Sequence, residues 1–266
     1  MDIPNISILM PIFNRNNFTE IIIENIKKLD YDKTKLEIVI LDDGDEERLL
    51  SNPYEIESFK KEIYPIKLNY LQTFEGRKTI GFKRNKLVKL AKYNICAMMD
   101  SDDFYLSDYL KHSLEIMNKT KSGIVGSNQM LFCYAEENPE KEWLFTGIQC
   151  DKKKLMHEAT MVFTKKYFKA MGGFNNNSRG EGVKMVEGMT DKNVGLTEIS
   201  KCMVCICHKT NTINKDHFKD KQEMGFQLSL ADKILIRNAC FPENKYDNIF
   251  NNNVFKNNFV VPFCPS

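Results

Sequence analysis

The chain has no apolar run near the ~20 residues that a membrane-spanning helix needs, so at a membrane it is expected only as a visitor or on a partner. Charge of one sign is missing too. Against 38 Lys and Arg stand 36 Asp and Glu, a formal net charge of +2, and nothing global points to nucleic acid or an anionic surface. Met1 to Phe13 lack the basic segment and long apolar stretch of a signal peptide. No G-x-G-x-x-G follows the first apolar run and no Walker A sequence occurs, which sets aside dinucleotide and P-loop sites. Internal repeats and a clear linker are also absent. What is present is ordinary and sufficient: 266 residues, 42% hydrophobic and 28% charged, enough for a real core under a polar surface.

The eight cysteines do not form a framework. Cys96, Cys133, Cys150, Cys240 and Cys264 stand singly among apolar residues, as small buried hydrophobes do. Cys202, Cys205, Cys207 and His208 superficially suggest zinc. On a strand over Lys201 to His208, however, neighbours face opposite ways, so four ligands do not reach one ion easily. A reduced, cytoplasmic chain is the expectation. Richness in Asn, Ile and Lys fits an AT-rich genome of a low-GC microbe or a virus, the latter placing the chain in host cytoplasm.

Apolar runs at Ile6–Ile12, Leu36–Leu41, Ile66–Leu71 and Ile95–Met99 read as buried strands. Between them, Phe18–Leu29 and Gly81–Tyr93 carry helical spacing, and a helix with Leu49 and Leu50 is limited by Asn52-Pro53. Strands alternating with helices imply a doubly wound, mostly parallel α/β sheet. After a helix over Tyr109–Met117, strands are expected at Ile124–Tyr134, Trp143–Ile148 and Glu158–Phe163, forming a smaller mixed sheet. Lys165–Met171 is a short helix stopped by Gly172-Gly173. A polar loop over Asn175–Gly182 and an amphipathic helix over about His217–Asn238 follow. Residues 1–105 read as a nucleotide-binding half, 106–208 as an acceptor half, and 209–266 as an extension.

The most informative run is Ala97-Met98-Met99-Asp100-Ser101-Asp102-Asp103. A buried strand ends in three carboxylates that repel one another and are costly to desolvate unpaired. A divalent cation relieves that repulsion, and in an α/β sheet the carboxyl ends of strands are where ligands sit. The alternative is an acidic turn, with Asp102 or Asp103 capping the next helix.

Four segments, in order, resemble the family 2 glycosyltransferases, nucleotide-sugar enzymes of the GT-A fold. They are Ser7-Ile8-Leu9-Met10-Pro11-Ile12-Phe13-Asn14-Arg15; Glu37 to Gly44 with its Asp42-Asp43-Gly44 end; Gly81-x-x-Arg84-Asn85 leading to Asp100-Ser101-Asp102-Asp103; and Phe163 with Gly172-Gly173-Phe174. The resemblance implies that Asp43 contacts a uracil ring and that Pro11, Phe13 and Arg15 line the base and ribose pocket. Arg84 and Ser101 would face the nucleotide, and Asp100 would reach the ribose or the metal. Asp102 would be the main ligand of Mn²⁺ or Mg²⁺, with His208 as a second ligand or a surface residue. Arg77 and Lys78 would add charge near the diphosphate or stay solvated.

One departure bears on catalysis. The family usually carries a Glu-Asp pair whose Asp is the base, and here that place reads Gly180-Glu181-Gly182. Glu181 is the expected substitute, with Glu187 and Asp191 as fallbacks needing a shifted loop. Phe13 for the usual Tyr costs only a hydroxyl. The implied reaction is metal-dependent, inverting transfer of a hexose-type sugar from a UDP-sugar to a hydroxyl on a glycan, lipid or protein. Rival readings are a nucleotide-sugar-binding protein that has lost turnover, and a nucleotidyltransferase, whose Gly-rich basic loop has no counterpart in Phe13-Asn14-Arg15.

Overall fold

The computed structural model describes residues 3–150, 155–187 and 194–244. The chain opens with β1 (Ile6–Ile12), α1 (Thr19–Lys28), β2 (Leu36–Asp42), α2 (Pro53–Glu62), β3 (Lys67–Gln72), α3 (Ile80–Leu90) and β4 (Ile95–Met98). There follow β5 (Phe104–Tyr105), α4 (Tyr109–Thr120), β6 (Ile124–Gly126), β7 (Gln129–Tyr134), β8 (Leu144–Gln149), β9 (Val162–Thr164) and α5 (Lys165–Met171). The last elements are α6 (Val183–Val186), β10 (Val194–Leu196), β11 (Met203–Cys207), β12 (Gln222–Glu223) and α7 (Leu230–Cys240).

A seven-stranded sheet runs in the order β10-β6-β9-β4-β1-β2-β3. The β4-β1-β2-β3 block is parallel throughout, and β9 runs against both β4 and β6. β2 is buried along its whole length and β1 nearly so, which is why both read as unbroken apolar runs: a parallel sheet is covered on two faces. Strand order reverses at β1, with β2 to one side and β4 to the other, so a crevice opens at their carboxyl ends. The second sheet, β12-β8-β7-β11-β5, is mixed: β7 and β11 are parallel and the other pairs antiparallel.

Several local readings change. Pro53 starts a helix instead of limiting one: Asn52 caps α2 by accepting the Glu55 N–H, and proline fits the first turn because its missing N–H would be unsatisfied there. Leu49 and Leu50 are buried in the preceding loop. The stretch 124–134 is two strands in different sheets, broken at Ser127-Asn128, where buried Ser127 Oγ accepts the Gln129 N–H. Residues Glu158–Thr160 form a 3₁₀ turn ahead of β9. The late helix begins only at Leu230, where Ser229 accepts the Asp232 N–H, and Gln222–Glu223 pair with β8. Among the described residues no helix is long and apolar enough to cross a membrane. Asp191, Cys264 and the Asn-rich stretch 251–258 lie outside the described residues.

Candidate functional site

A cavity of about 210 Å³ lies at the crevice. Its floor comes from the tips of β1 and β4. Pro11, Phe13 and Arg15 enter from the first, and Asp100, Ser101, Asp102 and Asp103 from the second. Arg77, Lys78, Lys83 and Arg84 contribute from the start of α3 and the loop before it, and His157, Glu158 and Glu181 close the far end.

α3 explains the G-x-x-R-N spacing. A side chain at Gly81 would run into the Asn175 carbonyl, so only glycine lets the helix approach the 174–182 loop, and the Gly81 N–H donates to Asn177 O at 2.8 Å. One turn on, Asn85 clasps Phe174 by donating to its carbonyl and accepting its N–H, both at 2.9 Å. Arg84 sits between these anchors and faces the cavity. Its guanidinium is 3.0 Å from Asp100 Oδ1 and 3.0 Å from Glu181 Oε1. Burial works against that charge, but Asp100, Glu181 and Glu158 outweigh it and raise the Arg84 pKa. The helix is therefore not a solvated basic face: Lys83 and Arg84 point inward, and Lys86 and Lys89 point out.

The three carboxylates of the acidic run have separate tasks. Asp103 Oδ1 accepts the Ile206 N–H at 3.2 Å, tying β11 to this tip, and burial above all pushes its pKa up to about 7. Burial likewise raises Asp100, although Arg84 opposes it. Asp102 Oδ2 accepts two bonds from Arg15, at 3.0 and 3.3 Å, and lies 3.2 Å from His208 Nε2. Burial would raise this group, but the His208 bond and Arg15 carry it below the ordinary carboxylate range. None of them caps α4, which begins after Asp108.

The donor set suits a hard divalent cation. Asp102 and His208 converge on one space. His208 Nε2 lies 3.2 Å from Asp102 Oδ2 and 2.8 Å from Asn211 Nδ2, and its Nδ1 is 2.9 Å from Thr210 Oγ1, so ligating a metal would take the tautomer protonated on Nδ1 and the displacement of Asn211. Asp100 Oδ1 is buried, with the Arg84 guanidinium 3.0 Å away and no other hydrogen-bond partner among the described residues. Among the described residues no three His, Cys, Asp or Glu side chains form a ready cage. Mg²⁺-type ions do not require one, since they keep waters and take one or two carboxylates plus phosphate oxygens.

Pro11, Phe13, Arg15, Arg77, Arg84, Asp100, Ser101, Asp102 and Glu181 thus share one cavity. Asp43 and His208 stand behind its wall. Asp43 is 2% exposed; its Oδ1 is 2.6 Å from Lys83 Nζ and its Oδ2 accepts the Lys78 N–H at 2.6 Å. Lys83, which also donates to Ile12 O at 2.9 Å, is what reaches the cavity. Burial lowers its pKa, against the pull of Asp43. Arg77 lies over the Phe13 ring, 4.3 Å from its centroid. Glu187, just past the end of α6, is exposed and does not line the cavity.

Sequence reasoning missed His157, Glu158, Lys83 and Lys215. His157 Nδ1 accepts the Ala159 N–H, and its Nε2 is sealed from water without a partner. No local pattern marks these residues, since they meet the cavity only through long-range packing. The cysteine cluster is spread over partners: Cys202 Sγ lies 3.4 Å from Thr197 Oγ1, and Cys205 Sγ accepts from Lys215 Nζ.

A sequence model of the family described as "Glycosyl transferase family 2" matches residues 7–173. The poly(ribitol-phosphate) β-N-acetylglucosaminyltransferase TarS of Staphylococcus aureus is 24% identical over 119 residues, which are 45% of this chain and 20% of TarS. The chain thus spans about a fifth of that curated relative's length. A TarS 1–349 structure with UDP-GlcNAc superposes with a TM-score of 0.57 at 14% identity, covering 94% of this chain and 76% of that one. A Pyrobaculum calidifontis mannosyltransferase with GDP-Man and Mn²⁺ also gives 0.57, at 17% identity, covering 82% and 59%. These likenesses show a shared GT-A fold.

Proposed function

The chain belongs to the family 2 glycosyltransferases, and we propose that it moves a hexose-type sugar from a UDP-sugar to an acceptor hydroxyl in a metal-dependent, inverting reaction. One observation carries the reading. Asp100, Asp102, Arg15 and Arg84 meet on one cavity wall at the point where strand order reverses. The TarS structure with UDP-GlcNAc supports a uridine donor, and the mannosyltransferase structure with Mn²⁺ supports a cation.

Phe13, with Pro11 beside it, offers a flat apolar face to the base. The buried Asp43–Lys83 pair reads its edge. Lys83, with two of its three protons held by Asp43 and Ile12 O, gives the third to a ring carbonyl, and Asp43 acts from behind the wall by holding Lys83 in place. Arg15 and Arg77 face the diphosphate. Asp102, with His208 and Asp100, would hold Mn²⁺ or Mg²⁺, which when bound supplies positive charge beside the departing diphosphate.

The acceptor hydroxyl attacks the anomeric carbon from the face opposite the diphosphate, and a single displacement inverts that centre. Its proton goes to a carboxylate at the far end, where Glu181, the expected base, and Glu158 both stand. The acceptor is a glycan, lipid or protein met in the cytoplasm.

Calorimetry of UDP binding tests the reading. Affinity should be at least tenfold higher with Mn²⁺ than with EDTA, and Asp102→Asn should abolish that difference. Equal affinity in both conditions would overturn the metal-dependent site.

A further inference from the structure

We propose that Glu158, not Glu181, takes the acceptor proton, and that Gly182 is glycine because the Glu158 side chain fills the space beside it. The proposal rests on the glycosyltransferase reading above and deepens it.

Glu181 is committed elsewhere. Its Oε1 is held by Arg84 Nε at 3.0 Å in a buried pair, so taking a proton would leave the guanidinium less neutralised. Glu158 borders the same end of the cavity and has no cation within ion-pair distance among the described residues. Its contacts are backbone N–H groups, with Gly182 donating to Oε1 at 3.2 Å. The charged and titratable groups facing it are Glu181, Arg84 and, next in the chain, His157. Burial first, then Glu181, raises the Glu158 pKa above the ordinary carboxylate value, the direction that makes a carboxylate a stronger base.

The backbone at 182 supplies an independent observation. A Cβ there would collide with Glu158 Cγ, approach its Cδ to 3.2 Å and meet Met161 Cε at 2.8 Å. The φ of Gly182 is −81°, which any residue adopts, so glycine is not needed for backbone conformation. It is needed for room, and the group using that room is a carboxylate. Glu158 reaches it from a different segment, the 3₁₀ turn before β9. In the step itself, the acceptor oxygen bonds to the anomeric carbon. The carbon–oxygen bond to the diphosphate breaks with its electron pair leaving on the diphosphate, and the hydroxyl proton passes to the Glu158 carboxylate.

The test compares wild type, Glu158→Gln, Glu158→Ala and the double variant Glu158→Ala/Gly182→Asp, all as the full chain. Each is measured for UDP binding with Mn²⁺ and for turnover of UDP-sugars. Glu158→Gln should bind UDP within a few-fold of wild type, turn over ~10²-fold slower or worse, and lose the acid limb of the pH–rate profile. The Ala substitution removes the two Glu158 atoms that a side chain at 182 would meet, and the third, Met161 Cε, is the end of a flexible side chain that can turn aside. The double variant, carrying a carboxylate from the other segment into the vacated space, should therefore recover at least tenfold over Glu158→Ala. Wild-type turnover with Glu158→Gln within threefold of it, or a double variant no faster than Glu158→Ala, overturns the proposal alone. Absence of turnover by the wild type with every nucleotide sugar overturns the function reading and this proposal with it.

Discussion

Replacing Arg84 by Met removes the one cation between Asp100 and Glu181, and its cost follows from their geometry. Arg84 is 2% exposed and lies 3.0 Å from an oxygen of each carboxylate. Removing one partner of a buried ion pair typically costs about 3–5 kcal/mol, because the remaining charge stays desolvated and uncompensated. For a chain of this size that corresponds to a fall in Tm of roughly 6–20 °C.

The sign of the pH dependence follows. Burial already holds the Asp100 carboxyl above its ordinary value with Arg84 opposing it; without Arg84 it rises further, so the folded variant binds more protons than the folded wild type in the window above about pH 4. Stability of the variant therefore falls as pH rises through that window, and its deficit against wild type is larger at pH 8 than at pH 5. Urea unfolding followed by circular dichroism at both pH values measures this. A triple variant, Arg84→Met with Asp100→Asn and Glu181→Gln, should recover part of the loss, since no buried charge is then left alone. A deficit below about 1 kcal/mol at pH 8, or one equal at the two pH values, would refute the reasoning.

Two further outcomes are expected. Lys83→Met should narrow the preference for UDP over CDP, because cytosine presents an amino group where uracil presents the carbonyl that Lys83 would meet; an unchanged UDP-to-CDP affinity ratio in calorimetry would contradict this. Burial above all, with help from Lys215 and Arg84, pushes the His157 pKa down to about 3. The unfolded chain thus takes up a proton below about pH 6.5 that the folded chain refuses, and stability falls from there toward pH 3; His157→Gln should flatten that limb of an acid-unfolding titration.

Legibility in the sequence followed distance along the chain. β1 and β2 were readable because a strand buried on two faces must be apolar throughout, and the acids at their ends marked the crevice. Gly81, Arg84 and Asn85 were readable as a spacing, although the spacing did not say that Arg84 is buried between Asp100 and Glu181. The Asp43–Lys83 pair joins residues 40 positions apart, and Glu158 meets Gly182 across 24. No local pattern encodes either. The helix expected over 217–238 failed for a related reason: the apolar spacing before Ser229 serves packing against β8 and β7, where Met224 N–H bonds Phe145 O and Phe218 stacks on Phe132.

The most direct test of the account is turnover of a panel of UDP-sugars by the full chain in Mn²⁺, reading released UDP and, by NMR, the anomeric configuration of the product. The account predicts UDP release from at least one UDP-hexose, abolished by Asp102→Asn, with a product anomer opposite to that of the donor. No release from any UDP-sugar, or a product that keeps the donor's configuration, would contradict it.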